Sequence, residues 1–351
     1  MNSYERVQTT VSHTTPDRPP LQLMATDEVI GNLCAFTGTK TEEELLGSLG
    51  IDFRGLAYDI EKTQPIPEGI LRHHGQQGRL SCTSYGVVLL ENENFPQAHR
   101  VYGPFYETTD LDSFDWPTPA DIQSSGQSAD IERHNRNGYC TLVRCDNPFK
   151  IAYFMRPFEE FMIDCLARED LAIALVERIA QTQFAIAEQG VRSGARCAMV
   201  YGDFAEQRSL MISPDAFRRV LKPILAELVA RLRRINKDVL VFLHSDGNLW
   251  SILGDLIECG FDAVHPIQPE CMDMQEVKRV YGNRLTLFGG ASVQSELPKS
   301  DPEQIRRLVR QRIDSLGKQG GFMLSPSNSI LPDVPPQSVV AMYDEGQRQR
   351  R

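Results

Sequence analysis

The stretch that decides the fold is Val239-Leu240-Val241-Phe242-Leu243-His244-Ser245-Asp246-Gly247. Its first five residues are apolar, which is typical of a strand that is buried on both faces of a parallel sheet. The apolar run then stops at a histidine, a carboxylate and a glycine. In α/β enzymes, ligands bind beyond the carboxyl ends of parallel strands, so catalytic side chains are expected there. His244 is therefore the first candidate for a functional residue.

The sequence around this stretch repeats the same unit. From about residue 148, apolar strands alternate with amphipathic helices, and the pattern predicts strands at 150–155, 197–202, 239–243, 262–267, 284–289 and 321–325. Repeated strand–helix units require parallel strands with right-handed crossovers. These strands, with one or two more in the first half, predict an α/β fold of the (β/α)8 TIM-barrel type rather than an open sheet.

The N-terminal part of the chain has a different character. Residues 1–23 are polar and proline-rich without periodicity, and we expect a disordered or loosely draped arm. Residues 24–351 are predicted to form a single barrel domain, which begins with a helical and irregular extension.

Composition and charge exclude several classes of partner. The chain has 351 residues and a formal net charge of −10, which disfavours binding to a nucleic-acid backbone. The basic cluster at 347–351 is expected to be a solvated chain end. No apolar run approaches the ~20 residues that a membrane span needs. The eight cysteines form no CxxC pair, which suits a reducing compartment. We therefore expect a cytoplasmic protein without nucleic-acid or membrane partners.

Three predicted strand ends carry polar clusters, at 199–208, 244–247 and 320–328. In a barrel they face the same mouth, so residues distant in sequence converge. His244 can act as a metal ligand, as a general acid or base, or as a partner for an anion. Asp246 is either a ligand or orienting carboxylate, or a cap for the following helix.

The neighbouring strand ends add further candidates. Asp203 and Glu206 offer carboxylates for metal binding or proton transfer; the alternative is a salt bridge with Arg208 in the loop. His265 also lies at a strand end, and Pro266 holds the backbone extended there. His265 and Gln268 are therefore candidates for contact with a ligand.

Several motifs appear in the order found in a known superfamily. They are Leu49–Arg54, Asp112–Pro117, Gly202–Pro214, His244–Gly247, Gly260–Asp262, Pro266–Pro269, Tyr281–Gly282 and Leu287–Gly290. The chain resembles the superfamily that unites uroporphyrinogen decarboxylase with cobamide-dependent methyltransferases, over roughly residues 40–345. The resemblance implies a (β/α)8 barrel with its active site in the C-terminal mouth, and a homodimer.

The departures from this superfamily bear on the chemistry. Uroporphyrinogen decarboxylases carry an early Arg-Gln-Ala-Gly-Arg segment that grips tetrapyrrole carboxylates, and this sequence lacks it. The thiol-methylating branch binds zinc through a His-x-Cys pair and a late cysteine. Here His244 matches, but Asp246 occupies the cysteine position and the late position falls near Asn328. The resemblance therefore implies Zn²⁺, if bound, on His244 with oxygen ligands from Asp246, Asp203 or Glu206.

Three functions remain open at this point. The leading hypothesis is a methyltransferase that moves a methyl group from a small O- or N-methylated substrate to a corrinoid on a partner protein, with His265, Gln268 and Asn328 orienting the substrate. The alternative is a metal-free decarboxylase for a small carboxylated substrate, in which Asp203 stabilises a cationic intermediate and His244 is the acid. The third is a non-catalytic barrel that binds a small ligand or a corrinoid partner.

Overall fold

The computed structural model describes residues 1–92, 95–123 and 126–349, and all of their side chains except those of residues 95–97. The strands are β1 (Phe53–Leu56), β2 (Arg79–Cys82), β3 (Val88–Asn92), β4 (Phe95–Tyr102), β5 (Cys140–Asp146), β6 (Cys197–Tyr201), β7 (Leu240–His244), β8 (Ala263–Ile267), β9 (Thr286–Ala291) and β10 (Phe322–Pro326). The helices are α1 (Ser3–Val11), α2 (Asp27–Thr37), α3 (Glu42–Ser48), α4 (Glu68–His74), α5 (Gln127–Arg136), α6 (Pro148–Met155), α7 (Phe158–Ala167), α8 (Glu169–Arg192), α9 (Pro214–Ala216), α10 (Lys222–Ile235), α11 (Leu253–Cys259), α12 (Met274–Tyr281), α13 (Pro302–Leu316) and α14 (Pro336–Arg348). A π-helical turn, Phe217–Leu221, joins α9 to α10 just before Pro223, which lies in the first turn of α10.

The main sheet is parallel and curled. Its strand order is β1-β5-β6-β7-β8-β9-β10. The ring of Phe53 on β1 lies 5.6 Å from that of Phe288 on β9 and 6.4 Å from that of Phe242 on β7, between centroids. These side chains meet because the sheet curves around a common apolar interior, to which Met199 and Met323 also contribute. The predicted α/β class and the parallel strands are confirmed.

A short N-terminal segment lies between the two edge strands of this sheet. Leu21 forms a parallel bridge with Leu324 of β10. On its other side, the Asp52 amide donates a hydrogen bond to the Leu21 carbonyl at 2.9 Å. This contact is a single bridge rather than a strand. Among the described residues the sheet thus has seven strands, and a complete eight-stranded barrel is not seen.

The disordered arm expected for residues 1–23 is corrected by the structure. Helix α1 begins with a capping box at Asn2 and places Val7 in the apolar interior of the sheet. Arg6 and Arg18 both pair with the buried carboxylate of Asp52, at 2.5 and 2.8 Å. The polar composition of this segment is misleading, because its charges are paired inside the protein instead of being solvated.

The strand predicted at 150–155 is wrong, because these residues belong to helix α6. The Asn147 side chain accepts a hydrogen bond from the Phe149 amide and caps the helix, and Pro148 occupies its first turn. The strand that fills this place is β5, which the sequence analysis missed. A short apolar run does not distinguish a buried strand from a buried helix, and β5 is interrupted by Thr141 and Arg144.

From β6 onward, the predicted strands match the observed strands to within two residues at each end. Strands β2, β3 and β4 form a separate antiparallel sheet between β1 and β5 in sequence. Of the basic cluster at the C-terminus, Arg350 and Arg351 lie outside the described residues, and Arg348 ends α14. No helix in the described ranges combines the length and apolar character needed to cross a membrane.

Candidate active site

The register of the sheet brings three aromatic side chains together at the mouth. Tyr201 pairs with His244 across β6 and β7, and His244 pairs with His265 across β7 and β8. Paired residues stand at the same height and on the same side of a sheet. The Tyr201 and His244 rings stack at 3.9 Å between centroids, with 4° between their planes. His244 is thus held between two neighbours inside the mouth.

The two histidines form a hydrogen-bonded relay whose direction follows from its last acceptor. His265 Nε2 lies 3.1 Å from the carbonyl oxygen of Pro326, which can only accept, and 2.9 Å from Ser325 Oγ. His265 therefore carries its proton on Nε2. The two Nδ1 atoms of His244 and His265 lie 2.7 Å apart, so His244 donates from Nδ1 to the lone pair of His265. This arrangement leaves the Nε2 lone pair of His244 free.

Burial keeps both imidazoles neutral. The side chains of His244 and His265 are almost fully buried. Burial, and next the neighbouring His265, lowers the pKa of His244 well below its usual value. Burial lowers the pKa of His265 to about 4. A neutral imidazole with a free nitrogen is the form that binds a metal ion.

Two carboxylates lie beside that free nitrogen. His244 Nε2 is 3.9 Å from Asp246 Oδ1. The Asp246 amide donates to Asp203 Oδ1 at 2.9 Å, which ties the two loops together. One ligand atom from each of Asp203, His244 and Asp246 lies within 4.8 Å of the others. We call these three residues the His–Asp cluster.

The negative charge of Asp246 is poorly stabilised in this cluster. Its Oδ2 accepts a hydrogen bond from Asn328 Nδ2, whereas its buried Oδ1 has no hydrogen-bond partner. Burial, and next the Asp203 carboxylate, raises the pKa of Asp246 to about 7. A buried carboxylate oxygen without a donor is costly unless a proton or a cation neutralises it. One imidazole nitrogen and two carboxylate oxygens also form a donor set that Zn²⁺ accepts, so these residues fit a metal ion.

A polar cavity of about 640 Å³ adjoins the cluster. Asp246, Gln268 and Asn328 contribute to its wall, together with Gln294 and Asp333. No lysine or arginine is among the described residues that line it. Two predicted substrate contacts, Gln268 and Asn328, are therefore placed together beside the cluster.

The remaining sequence candidates occupy other positions. The Glu206 side chain is exposed and is not part of the cluster, and its backbone carbonyl accepts from the Asn248 amide. Asp203 pairs with Lys150 at 3.9 Å, instead of with Arg208. His265 has both ring nitrogens engaged within the protein. It supports His244, which leaves the predicted substrate contacts to Gln268 and Asn328.

Two cations near the cluster were missed in the sequence. Arg144, on β5, places its guanidinium 3.6 Å from the centroid of the Tyr201 ring. Lys150 lies in α6 and lines a second cavity together with Arg144. The sequence pattern does not indicate either residue, because it predicts no strand at 140–146 and a strand instead of a helix at 150–155. The sequence pattern that could have indicated this strand is the partly alternating apolar run at 140–146, which has Arg144 near its end.

Comparison with known proteins places this site in a family. Residues 101–348 match the family model of uroporphyrinogen decarboxylase (URO-D). The chain is 24% identical over 198 residues to the methylcobamide:CoM methyltransferase MtaA of Methanosarcina barkeri, covering 56% of this chain and 55% of that protein. It is 25% identical over 188 residues to the uroporphyrinogen decarboxylase of Burkholderia thailandensis, covering 53% and 49%.

The matches span about half the length of these curated relatives. In structure, the chain is similar to a methyltransferase from Methanosarcina mazei over 99% of both chains, with a TM-score of 0.70 and 19% identity. That likeness concerns the fold. The family match covers well over half of the sequence and agrees with the resemblance inferred from the motifs. The chain belongs to the uroporphyrinogen decarboxylase (URO-D) family.

Proposed function

We propose that the protein is a methyltransferase that removes a methyl group from a small O- or N-methylated substrate and passes it to a corrinoid carried by a partner protein. The observation that carries the proposal is the His–Asp cluster. The relay from Pro326 through His265 presents an unprotonated His244 nitrogen to two carboxylates, one of which has an unpartnered oxygen. The similarity to a methylcobamide:CoM methyltransferase supports the choice of reaction.

In this proposal, His244, Asp203 and Asp246 hold a Zn²⁺ ion. When bound, the metal ion would supply Lewis acidity to the heteroatom that loses the methyl group, because an alkoxide or an amine is a poor leaving group. The protein keeps His244 Nε2 deprotonated by directing the Nδ1 proton at His265. Three protein ligands leave room for a substrate atom.

The polar cavity supplies the substrate contacts. Gln268 accepts from the Gly247 amide at 3.1 Å, which fixes its side chain beside the loop that carries Asp246. Asn328 donates to Asp246 and lines the same cavity. These amides are suited to orienting a small molecule with hydrogen-bonding groups.

The geometry gives less support to a decarboxylase. In that alternative His244 is the acid, but its proton is on Nδ1 and points to His265 rather than to the cavity. The polar cavity also offers a carboxylated substrate Asp246 and Asp333, with no lysine or arginine among its described lining residues. The low pKa of His244 further disfavours proton donation near neutral pH.

The test is the metal content of the purified protein, measured by elemental analysis for the wild type and for His244→Ala side by side. We expect near-stoichiometric zinc in the wild type and background zinc in the variant. His73→Ala, in the exposed last turn of α4, is the matched control and should retain the metal. No metal in the wild type after growth with added zinc would contradict the proposed centre and direct attention to the decarboxylase.

A further inference from the structure

The second cavity at the mouth lies outside the proposed function. It has a volume of about 530 Å³, which is in the range of small-molecule sites. It lies beyond the ends of β1 and β5, between α6, α8 and the small antiparallel sheet. None of the three residues of the His–Asp cluster lines it.

The walls of this cavity are mostly apolar. Ile60 follows β1, Tyr85 lies in the turn between β2 and β3, and Leu89 lies on β3. Phe154 and Ile186 come from α6 and α8. The aromatic and branched side chains from separate elements enclose a space that suits a flat apolar body. Burying such a body removes apolar surface from water, which favours binding.

One end of the cavity carries charge. Arg144 is paired with Asp146 at 3.0 Å, so these two lining residues neutralise one another. Asp59 also lines the cavity and is exposed. Lys150 remains, half-buried at the same end as Arg144.

The ammonium group of Lys150 is incompletely satisfied. Its contact with Asp203 is 3.9 Å long, beyond hydrogen-bonding distance, and the Tyr201 ring centroid is 5.7 Å away. In the part of the chain that the structure describes, the Lys150 Nζ makes no hydrogen bond, and its ion pair is the one with Asp203. A half-buried ammonium with free donors beside an apolar cavity favours an anionic acceptor.

We propose that this cavity is a second ligand site, which takes a flat apolar molecule bearing one anionic group, with the anion on Lys150 and the apolar body against Tyr85, Leu89 and Phe154. The site adjoins the His–Asp cluster, because Lys150 lines the site and lies 3.9 Å from Asp203 of the cluster. It is distinct from the polar cavity. Its existence does not depend on the proposed reaction.

The probe is 2-naphthalenesulfonate, and its uncharged counterpart 2-naphthalenesulfonamide has nearly the same shape. Binding is measured by isothermal titration calorimetry on the full chain. We expect one-to-one binding of the sulfonate, with the sulfonamide about ten-fold weaker, because a charge-assisted hydrogen bond is lost. Lys150→Met should remove this difference, while Lys237→Met, on an exposed loop, should preserve it.

A second variant tests the location of the apolar body. Leu89→Trp should fill the cavity and abolish binding of both probes, whereas Leu166→Trp, at a side chain 56% exposed on α7, should not. Thermal unfolding confirms that each variant is folded. The proposal is overturned by the absence of saturable binding, by equal affinity for the two probes, or by binding that persists in the folded Leu89→Trp variant.

Discussion

The two sides of the mouth hold their polar groups in different ways. On the side of β7, β8 and β10, which we call the histidine side, His244 and His265 are buried and hydrogen-bonded in one direction. On the side of β1 and β5, which we call the cation side, Arg144 and Lys150 are partly exposed beside an apolar cavity. The histidine side has its protonation state fixed by the protein, whereas the cation side has donors left for a ligand.

The two sides also differ in their effect on the stability of the folded protein. Asp246 on the histidine side is buried with an unpartnered oxygen and a pKa raised to about 7. A group with such a pKa destabilises the folded state once it ionises. A site that is destabilising when empty and complete when a cation is present is a sign of ligand binding rather than of packing. The cation side shows no comparable penalty, because its charges remain partly solvated.

The largest effect is expected for Asp246→Asn. The variant should lose the metal, because it removes a charged ligand, and the metal-free protein should become more stable at pH 8. The folded pKa of about 7 lies above the ordinary 3.8, so the penalty grows as pH rises between these values and is complete above them. We expect a gain of roughly 1–3 kcal/mol at pH 8 and almost none at pH 4.

Urea unfolding in the presence of a chelator measures this gain. Asp333→Asn, an exposed carboxylate on the same polar cavity, is the control and should change stability little. If Asp246→Asn is no more stable than the wild type at pH 8, the ionised Asp246 carboxylate does not destabilise the folded protein.

The next effect tests the relay that defines the histidine side. His265→Phe keeps an aromatic ring but removes the acceptor for the His244 Nδ1 proton, so His244 is free to protonate on Nε2. We expect zinc affinity to fall by about 10–100-fold, as is usual when a group that orients a metal ligand is lost. Competition with a chromophoric chelator gives the affinity, and His265→Gln, which retains an acceptor, should lose less.

A spectroscopic measurement separates this role from a merely structural one. Long-range proton–nitrogen NMR of the metal-free wild type should show His244 with its proton on Nδ1. An Nε2 proton on His244 would contradict the relay, whatever the affinity of the variants.

The sequence predicted the histidine side better than the cation side, for a physical reason. His244 and Asp246 follow an apolar strand that is buried on both faces, and such a strand is easy to identify. Asp203, Gln268 and Asn328 also follow strand ends that were correctly predicted. The sequence does not predict the hydrogen bond between His244 and His265, because that contact depends on the register of β7 and β8.

The cation side was missed because local composition was ambiguous there. Residues 150–155 are apolar enough for a strand, and only the cap at Asn147 and the packing of α6 decide for a helix. The arm at 1–23 was mistaken for disorder because its arginines find their partner, Asp52, far along the chain. Long-range ion pairs and cavities between separate elements leave no local pattern to read.

A smaller effect concerns the pH dependence of metal binding on the histidine side. Asp246 must lose its proton to bind a cation, and its pKa is raised to about 7. Zinc affinity should therefore be nearly constant above pH 7.5 and fall by about ten-fold per unit below pH 6.5, with a slope of one proton. The lowered pKa of His244 removes it as a competitor in this range. Chelator competition between pH 5.5 and 8 tests this, and a flat profile would contradict it.

The smallest effect links the two sides and rests on both proposals. Lys150 faces Asp203 at 3.9 Å, and a metal ion on Asp203 would take up the carboxylate charge that now attracts the ammonium. Zinc should then tighten 2-naphthalenesulfonate binding by about two- to five-fold, and by linkage the sulfonate should tighten zinc by the same factor. The uncharged sulfonamide forms no ion pair with the released Lys150 ammonium, so its affinity should not respond to zinc. If zinc leaves the affinity for the sulfonate unchanged, the histidine side and the cation side act independently, even if each site exists. Equal tightening of both probes would contradict a coupling through the Lys150 charge.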